Sequence, residues 1–144
     1  MGLLRIAQIP PPVVEPNVSV MDAVTVMARH RVGAVVVVEK SKLVGIFTER
    51  DLMLRVVQER LDPSSLQVRD VMTSDVMTMT EASTHDDASK LMLLEHLRHL
   101  PILDDDGKVL GLLSMRALLE ERLEDLSREV SSLEQYMAND GPGG

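Results

Sequence analysis

The sequence predicts a mixed α/β (α+β) fold in which two similar β-α-β-β-α units pack together and a long helix follows them. Three observations predict it. A strand-to-helix junction, Gly45-Ile46-Phe47-Thr48-Glu49-Arg50-Asp51-Leu52, occurs again as Gly111-Leu112-Leu113-Ser114-Met115-Arg116-Ala117-Leu118, with Ala117 in place of Asp51. Each junction is preceded by an amphipathic helix and a pair of apolar strands in the same order. From Leu119 onward, apolar residues fall at 119, 123, 126, 130, 133 and 137, the alternating four-three spacing of a heptad seam.

The chain opens on Met1-Gly2-Leu3-Leu4-Arg5-Ile6, which has no apolar core of a leader and lacks the Ser or Thr of a myristoylation signal at position 6. Pro10-Pro11-Pro12 is incompatible with helix and delivers an extended segment to Val13-Val14. Ser19-Val20-Met21-Asp22 is a capping-box pattern that starts the first helix, whose Val20, Ala23, Val24, Met27 and Ala28 share one face. Ala34 to Val38 is a β-branched run, Glu39 to Lys42 a turn, and Leu43 to Phe47 the return strand, followed by a helix over roughly 49–60. Asp62-Pro63-Ser64-Ser65 closes the first unit. Val68 to Thr73 leads into the second unit, where Thr84-His85-Asp86-Asp87 repeats the capping pattern. Ala88, Leu91, Met92 and Glu95 keep the offsets of the first helix. Leu100 to Leu103 and Val109 to Leu113 flank Asp104-Asp105-Asp106-Gly107, a hairpin turn that lacks the spacing of a calcium loop. The expected organisation is a first unit over 1–67, a second over 68–119, a coiled-coil-like helical extension over 120–138, and a flexible tail over 139–144. Each unit is too small to bury much core alone, so the two should share one.

Composition narrows the function classes. There is no cysteine, which removes disulfides, cysteine zinc sites and thiol nucleophiles. No apolar run reaches the length of a membrane span, and a cytoplasmic protein is the expectation. The net charge of −8 and the near absence of aromatics disfavour general nucleic-acid binding. The ten methionines read as core fillers. No triad, nucleophile elbow or phosphate loop is visible, so a hydrolase has little support. The histidines make no clear metal pattern. Thr48-x-x-Asp51 fits an ordinary capping box, and Arg98, His99 and Arg116 taken singly fit solvated charges.

Taken together, Asp22-Ala23, Val32-Gly33-Ala34-Val35, Gly45 to Asp51, Asp70-Val71-Met72-Thr73, Arg98-His99-Leu100-Pro101 and Gly111 to Ser114 resemble a tandem pair of cystathionine-β-synthase-type (CBS) domains, a Bateman module. The resemblance covers about residues 6–119 and excludes the heptad tail. It implies two repeats packed as a pseudo-twofold disc with two clefts that take adenine nucleotides or other adenosyl ligands, and a regulatory protein without chemistry of its own. Gly45, Thr48 and Asp51 match the family's ribose and phosphate motif; Gly111 and Ser114 match it, and Ala117 does not. Arg98-His99 resembles, with the two residues exchanged, a phosphate-side segment of the AMP-activated kinase γ subunit. Arg116 stands where that subunit places a phosphate-binding lysine.

The expected site therefore has Asp51 on the ribose hydroxyls, Thr48 between ribose and phosphate, and Arg98, His99 and Arg116 facing the phosphate. The adenine lies near Val13 and Val35, with the Gly33-Ala34 backbone close by. A carboxylate can accept from two adjacent hydroxyls, and a helix N-terminus favours an anion. In the first repeat the positions matching 98 and 99 are Gly33 and Ala34, so one complete cleft per chain is expected. The expected function is a homodimeric sensor of an adenine nucleotide, AMP foremost, with no catalytic cofactor, that signals to a regulated partner. The alternative is a ligand-free interaction or scaffold protein assembled through its heptad helix.

Overall fold

The computed structural model describes residues 2–139; the end of the chain, residues 140–144 of the expected flexible tail, lies outside the described residues. A short 3-10 turn, Leu3–Arg5, precedes two units of the same order. The first contains β1 (Val13–Val14), α1 (Val20–His30), β2 (Ala34–Glu39), β3 (Lys42–Thr48) and α2 (Glu49–Asp51). The second contains α3 (Val68–Val71), β4 (Met79–Thr80), α4 (His85–Glu95), β5 (His99–Leu103), β6 (Val109–Ser114) and α5 (Met115–Asn139). Each unit has a three-stranded sheet, ordered β1-β2-β3 or β4-β5-β6. In both, the first strand runs parallel to the middle one and the last antiparallel to it. Ala34 stands opposite Thr48 as His99 stands opposite Ser114.

The apolar runs follow from burial on both faces of these sheets. Successive side chains of a strand point to opposite faces. Val35 and Val37 enter the first unit's own core with Val20, Ala23, Met27 and Phe47, whereas Ala34 and Val36 meet Ile46 and Leu112 in a core shared by the two units. A strand covered on both sides has no solvent face to keep polar.

The two lead-in segments are exchanged. The N-terminal turn packs on the second unit: Leu3 belongs to its core, and Gln8 and Leu112 exchange backbone hydrogen bonds of 2.9 and 3.1 Å. Reciprocally, Val68 and Val71 enter the first unit's core, and Thr73 and Ile46 exchange two bonds of 2.9 Å. The glycine of each junction is where the foreign lead-in crosses. A Cβ on Gly45 would lie 2.5 Å from Met72 Sδ and 3.0 Å from the Thr73 carbonyl oxygen. One on Gly111 would meet Ile9, Ala7 and Gln8 at 3.1–3.2 Å.

Two local expectations need adjusting. Thr84 and Asp87 form a complete capping box, but at α1 Ser19 accepts from the Asp22 N–H without the reciprocal bond. The helix expected over 49–60 is α-helical only for Glu49–Asp51 and continues as a π-helical stretch, Leu52–Val57. The heptad seam does lie on one continuous helix, α5. Leu119, Leu123, Leu126, Val130, Leu133 and Met137 are 44–69% exposed, so the seam finds no cover among the described residues.

Candidate functional site

The junction of β3 and α2 carries a polar constellation. Thr48 is the N-cap of α2: its Oγ1 accepts from the Asp51 N–H at 3.2 Å, and Asp51 Oδ2 accepts from the Thr48 N–H at 3.0 Å. The capping box is therefore complete. Its carboxylate does more than cap. Asp51 is 7% exposed, and Oδ1 accepts from the Thr73 hydroxyl at 3.1 Å. Arg55, one turn along, brings Nε to 3.8 Å of Oδ1 and donates from Nη1 to the carbonyls of Val71 and Met72. A carboxylate offers about four acceptor directions, so these contacts leave it capacity for another donor.

Beside it opens a cavity of about 530 Å³. Thr48, Glu49, Arg50, Asp51 and Ile46 line it from the first repeat, and Leu97, Arg98 and His99 line it from the opposite repeat. Gly33, Thr73 and Val76 complete much of the wall. The cavity thus lies between the repeats, with Thr48, Arg50 and Asp51 on one side, His96, Arg98 and His99 on the other, and the Glu49 and Glu95 carboxylates also in its wall. Burial holds the His99 imidazole below its ordinary pKa; the Glu49 carboxylate pulls it up and the Arg98 guanidinium pushes it further down. This environment favours the neutral imidazole. Gly33 sits against both Glu49 and His99: a Cβ there would fall 2.2 Å from Glu49 Oε1 and 3.2 Å from His99 Cε1.

Of the residues expected from sequence, Gly33, Thr48, Asp51, Arg98 and His99 are brought together around this cavity. Ala34 and Val35 are fully buried in the strand behind it, in the shared core and the first unit's core respectively. Val13 is 45% exposed and outside the lining. Arg116 is also outside it, at the start of α5, with Nε 2.9 Å from Glu120 Oε1. Arg50, its counterpart in the first repeat, is the arginine that lines the cavity. Sequence reasoning passed over Arg50, Arg55 and Thr73. Arg55 had a signal, its four-residue spacing from Asp51 on a helix. Thr73 had none locally, because it arrives with the exchanged lead-in. The second junction is reduced: Ser114 Oγ accepts from the Ala117 N–H at 3.1 Å, and Ala117 supplies no carboxylate.

No helix among the described residues is long and apolar enough to cross a membrane, and no cluster of His, Asp and Glu there could hold a metal ion.

Comparison with known proteins places this arrangement in a family. The CBS domain model matches twice, at residues 5–58 and 68–124. An uncharacterized protein of Methanopyrus kandleri is 38% identical over 106 residues, covering 73% of this chain and 54% of the relative. The mitochondrial CBS domain-containing protein CBSX3 of Arabidopsis thaliana is 36% identical over 119 residues, covering 76% of this chain and 57% of the relative. The chain thus spans little more than half the length of these two relatives. Among solved structures, the CBS domain NE2398 superposes with a TM-score of 0.78 at 32% identity, covering 85% of this chain and 98% of that one. CBSX2 in complex with AMP superposes with a TM-score of 0.72 at 25% identity, covering 85% of this chain and 96% of that one. With two family matches in tandem, two sheets of the same topology and reciprocally exchanged lead-ins, the chain belongs to the CBS domain family as a CBS-domain pair.

Proposed function

We propose that the chain is a regulatory module that binds an adenine nucleotide, AMP foremost, in the cleft beside Asp51 and passes the bound state to a partner protein, without chemistry of its own. One observation carries this reading: a single inter-repeat cavity gathers a nearly buried carboxylate, an N-cap threonine and the Arg98-His99 pair. In it Asp51 accepts from the ribose hydroxyls, Thr48 lies between ribose and phosphate, and Arg98 faces the phosphate. Arg50, on the same wall, takes the phosphate role that sequence reasoning gave to Arg116. The AMP complex of CBSX2 supports the ligand class. The module acts as a homodimer, for which the uncovered seam of α5 is the support.

A thermal-shift and calorimetry panel of AMP, ADP, ATP and S-adenosylmethionine tests it, because a ligand of the native state raises stability by RT ln(1 + [L]/Kd). A shift with at least one adenosyl ligand, lost in Asp51→Ala, is the expected result. A flat panel overturns the reading in favour of a ligand-free scaffold. That second reading has its own support: Asp51 is already engaged by Thr48 and Thr73 without any ligand, and the exposed seam suits an assembly element.

A further inference from the structure

The exposed seam of α5 has a direction written in its flanking charges. Leu123, Val130 and Met137 occupy a positions and Leu119, Leu126 and Leu133 occupy d positions. The e positions are then Glu120, Ser127 and Glu134, and the g positions Arg122, Glu129 and Tyr136. In a parallel pair, g meets the e position five residues on in the other helix. That sets Glu129 against Glu134 on both sides of the seam and gives Arg122 only Ser127. In an antiparallel pair with full overlap, Glu120 meets Glu134 twice and Glu129 meets its own copy. Sliding the antiparallel pair by one heptad, so that Leu119 meets Val130 and Leu123 meets Leu126 of the other chain, replaces all of these. Arg122 then faces Glu129 twice, Glu120 faces Ser127 twice, and these flanking positions hold no like-charge pair.

The same register explains a second feature. A groove of about 410 Å³ runs between α4 and α5, with Met92, Leu93, Met115, Leu118 and Leu119 in its apolar lining and Arg122 on its rim. Leu93 is 69% exposed and Leu94, beside it on α4, 76%. The groove rests on a firm base, since the buried Glu121 pairs with Arg5 and lies 3.4 Å from His85 Nε2. A second copy's helix, slid by one heptad, runs its Val130 to Glu134 segment back along the first turn of α5, beside this groove. The parallel arrangement carries the same segment away from it.

We propose that α5 pairs with α5 of a second copy of this chain, antiparallel and offset by one heptad, with Leu119 against Val130, Leu123 against Leu126 and Arg122 against Glu129. This rests on the reading that the module self-associates and is independent of what its cleft binds. The chain has no cysteine, so introduced thiols report the register directly. Leu119→Cys and Val130→Cys, both at exposed positions, are oxidised separately and as a mixture, alongside sedimentation of the unmodified chain. The expected result is a dimer by sedimentation and a disulfide-linked dimer in the mixture alone. In this register two copies of residue 119 stand about 16 Å apart along the axis, beyond disulfide reach. Cross-linking of each variant alone shows a parallel pair and overturns the proposal; a dimer by mass with no cross-link in the mixture overturns the register, and a monomer overturns the pairing. Arg122→Glu should weaken the dimer about fivefold, and adding Glu129→Arg should restore it. AMP titration of the unmodified chain separates the readings, since a monomer that still binds the nucleotide refutes only the assembly.

Discussion

The two strand-to-helix junctions are the same device in two conditions. At the first, Thr48 caps α2, and the Asp51 carboxylate accepts in return from the Thr48 N–H. At the second, Ser114 accepts from the Ala117 N–H at 3.1 Å, and the helix runs from Met115 to Asn139 without a carboxylate in its first turn. The hydroxyl is therefore what the helix start requires, and it is present twice. The carboxylate is dispensable for starting a helix in this setting, yet Asp51 is held almost out of water. Burying a carboxylate is unfavourable unless partners compensate it. Thr73 and Arg55 supply those partners from another segment and from the next turn. A charged group maintained in this way beside a cavity is a site signature rather than a folding requirement.

The largest effect expected from breaking this difference comes from Asp51→Ala. Loss of the carboxylate removes its hydrogen bonds to the ribose, about 2–3 kcal/mol and roughly a 30- to 150-fold loss in affinity. Adenosine and AMP should weaken alike by calorimetry, because both carry the ribose. The fold should lose only about 1 kcal/mol, the worth of half a capping box, by denaturant titration. Unchanged adenosine affinity would show that Asp51 is a cap and nothing more. Ser114→Ala is the matching control: about 1 kcal/mol of stability and no affinity. The same asymmetry predicts one tight nucleotide per chain, and two equivalent tight sites by calorimetry would contradict it.

A smaller effect separates phosphate from ribose. Arg98 is exposed at the cavity rim, so its attraction to a phosphate is screened. Arg98→Ala should weaken AMP about fivefold at low salt and leave adenosine unchanged. The difference should shrink as salt rises; a loss that salt does not touch would place Arg98 in a structural role.

Much of the fold was legible because each local choice agrees with the whole. Capping hydroxyls, hairpin turns and apolar strand pairs recur in the same order in both units, and the heptad spacing lies on a single helix. The site was legible where its residues come from one junction or from the start of β5. It was less legible where tertiary placement decides. An apolar run cannot say which of its residues faces which core, and period two sends Val35 and Ala34 to opposite sides of β2. Arg50 and Arg116 are equivalent by repeat, but only Arg50 opens onto the cavity, because the cavity belongs to the junction of its own repeat. Thr73 reaches Asp51 across 22 residues through a lead-in exchange that no local pattern announces. The π-helical stretch after Asp51 has no marker in its sequence, Leu52 to Val57, which reads as ordinary amphipathic helix.

The smallest expected effect is the most diagnostic of how the cleft is tuned, and it lies in His99. Burial lowers its pKa, Glu49 raises it and Arg98 lowers it, with a net downward displacement from about 6.5. In the unfolded chain the imidazole titrates near that ordinary value. Between the folded and unfolded pKa the unfolded state holds more protons, so stability rises with pH there. The contribution of neutral His99 is fully present above about pH 6.5 and is lost as pH falls through the lower folded value. A bound phosphate reverses the local balance, since a nearby anion favours the imidazolium. AMP binding should therefore take up a proton at His99, and AMP affinity should gain about threefold between pH 7.5 and pH 6, relative to His99→Gln, which cannot titrate. Adenosine has no phosphate and should show no such gain. The two responses run in opposite directions: acidification weakens the free module while it strengthens the nucleotide complex. Calorimetry in two buffers of different ionisation enthalpy reads the proton uptake directly. Equal uptake in the parent chain and in His99→Gln would move the phosphate away from His99 and leave Arg50 and Arg98 as its partners.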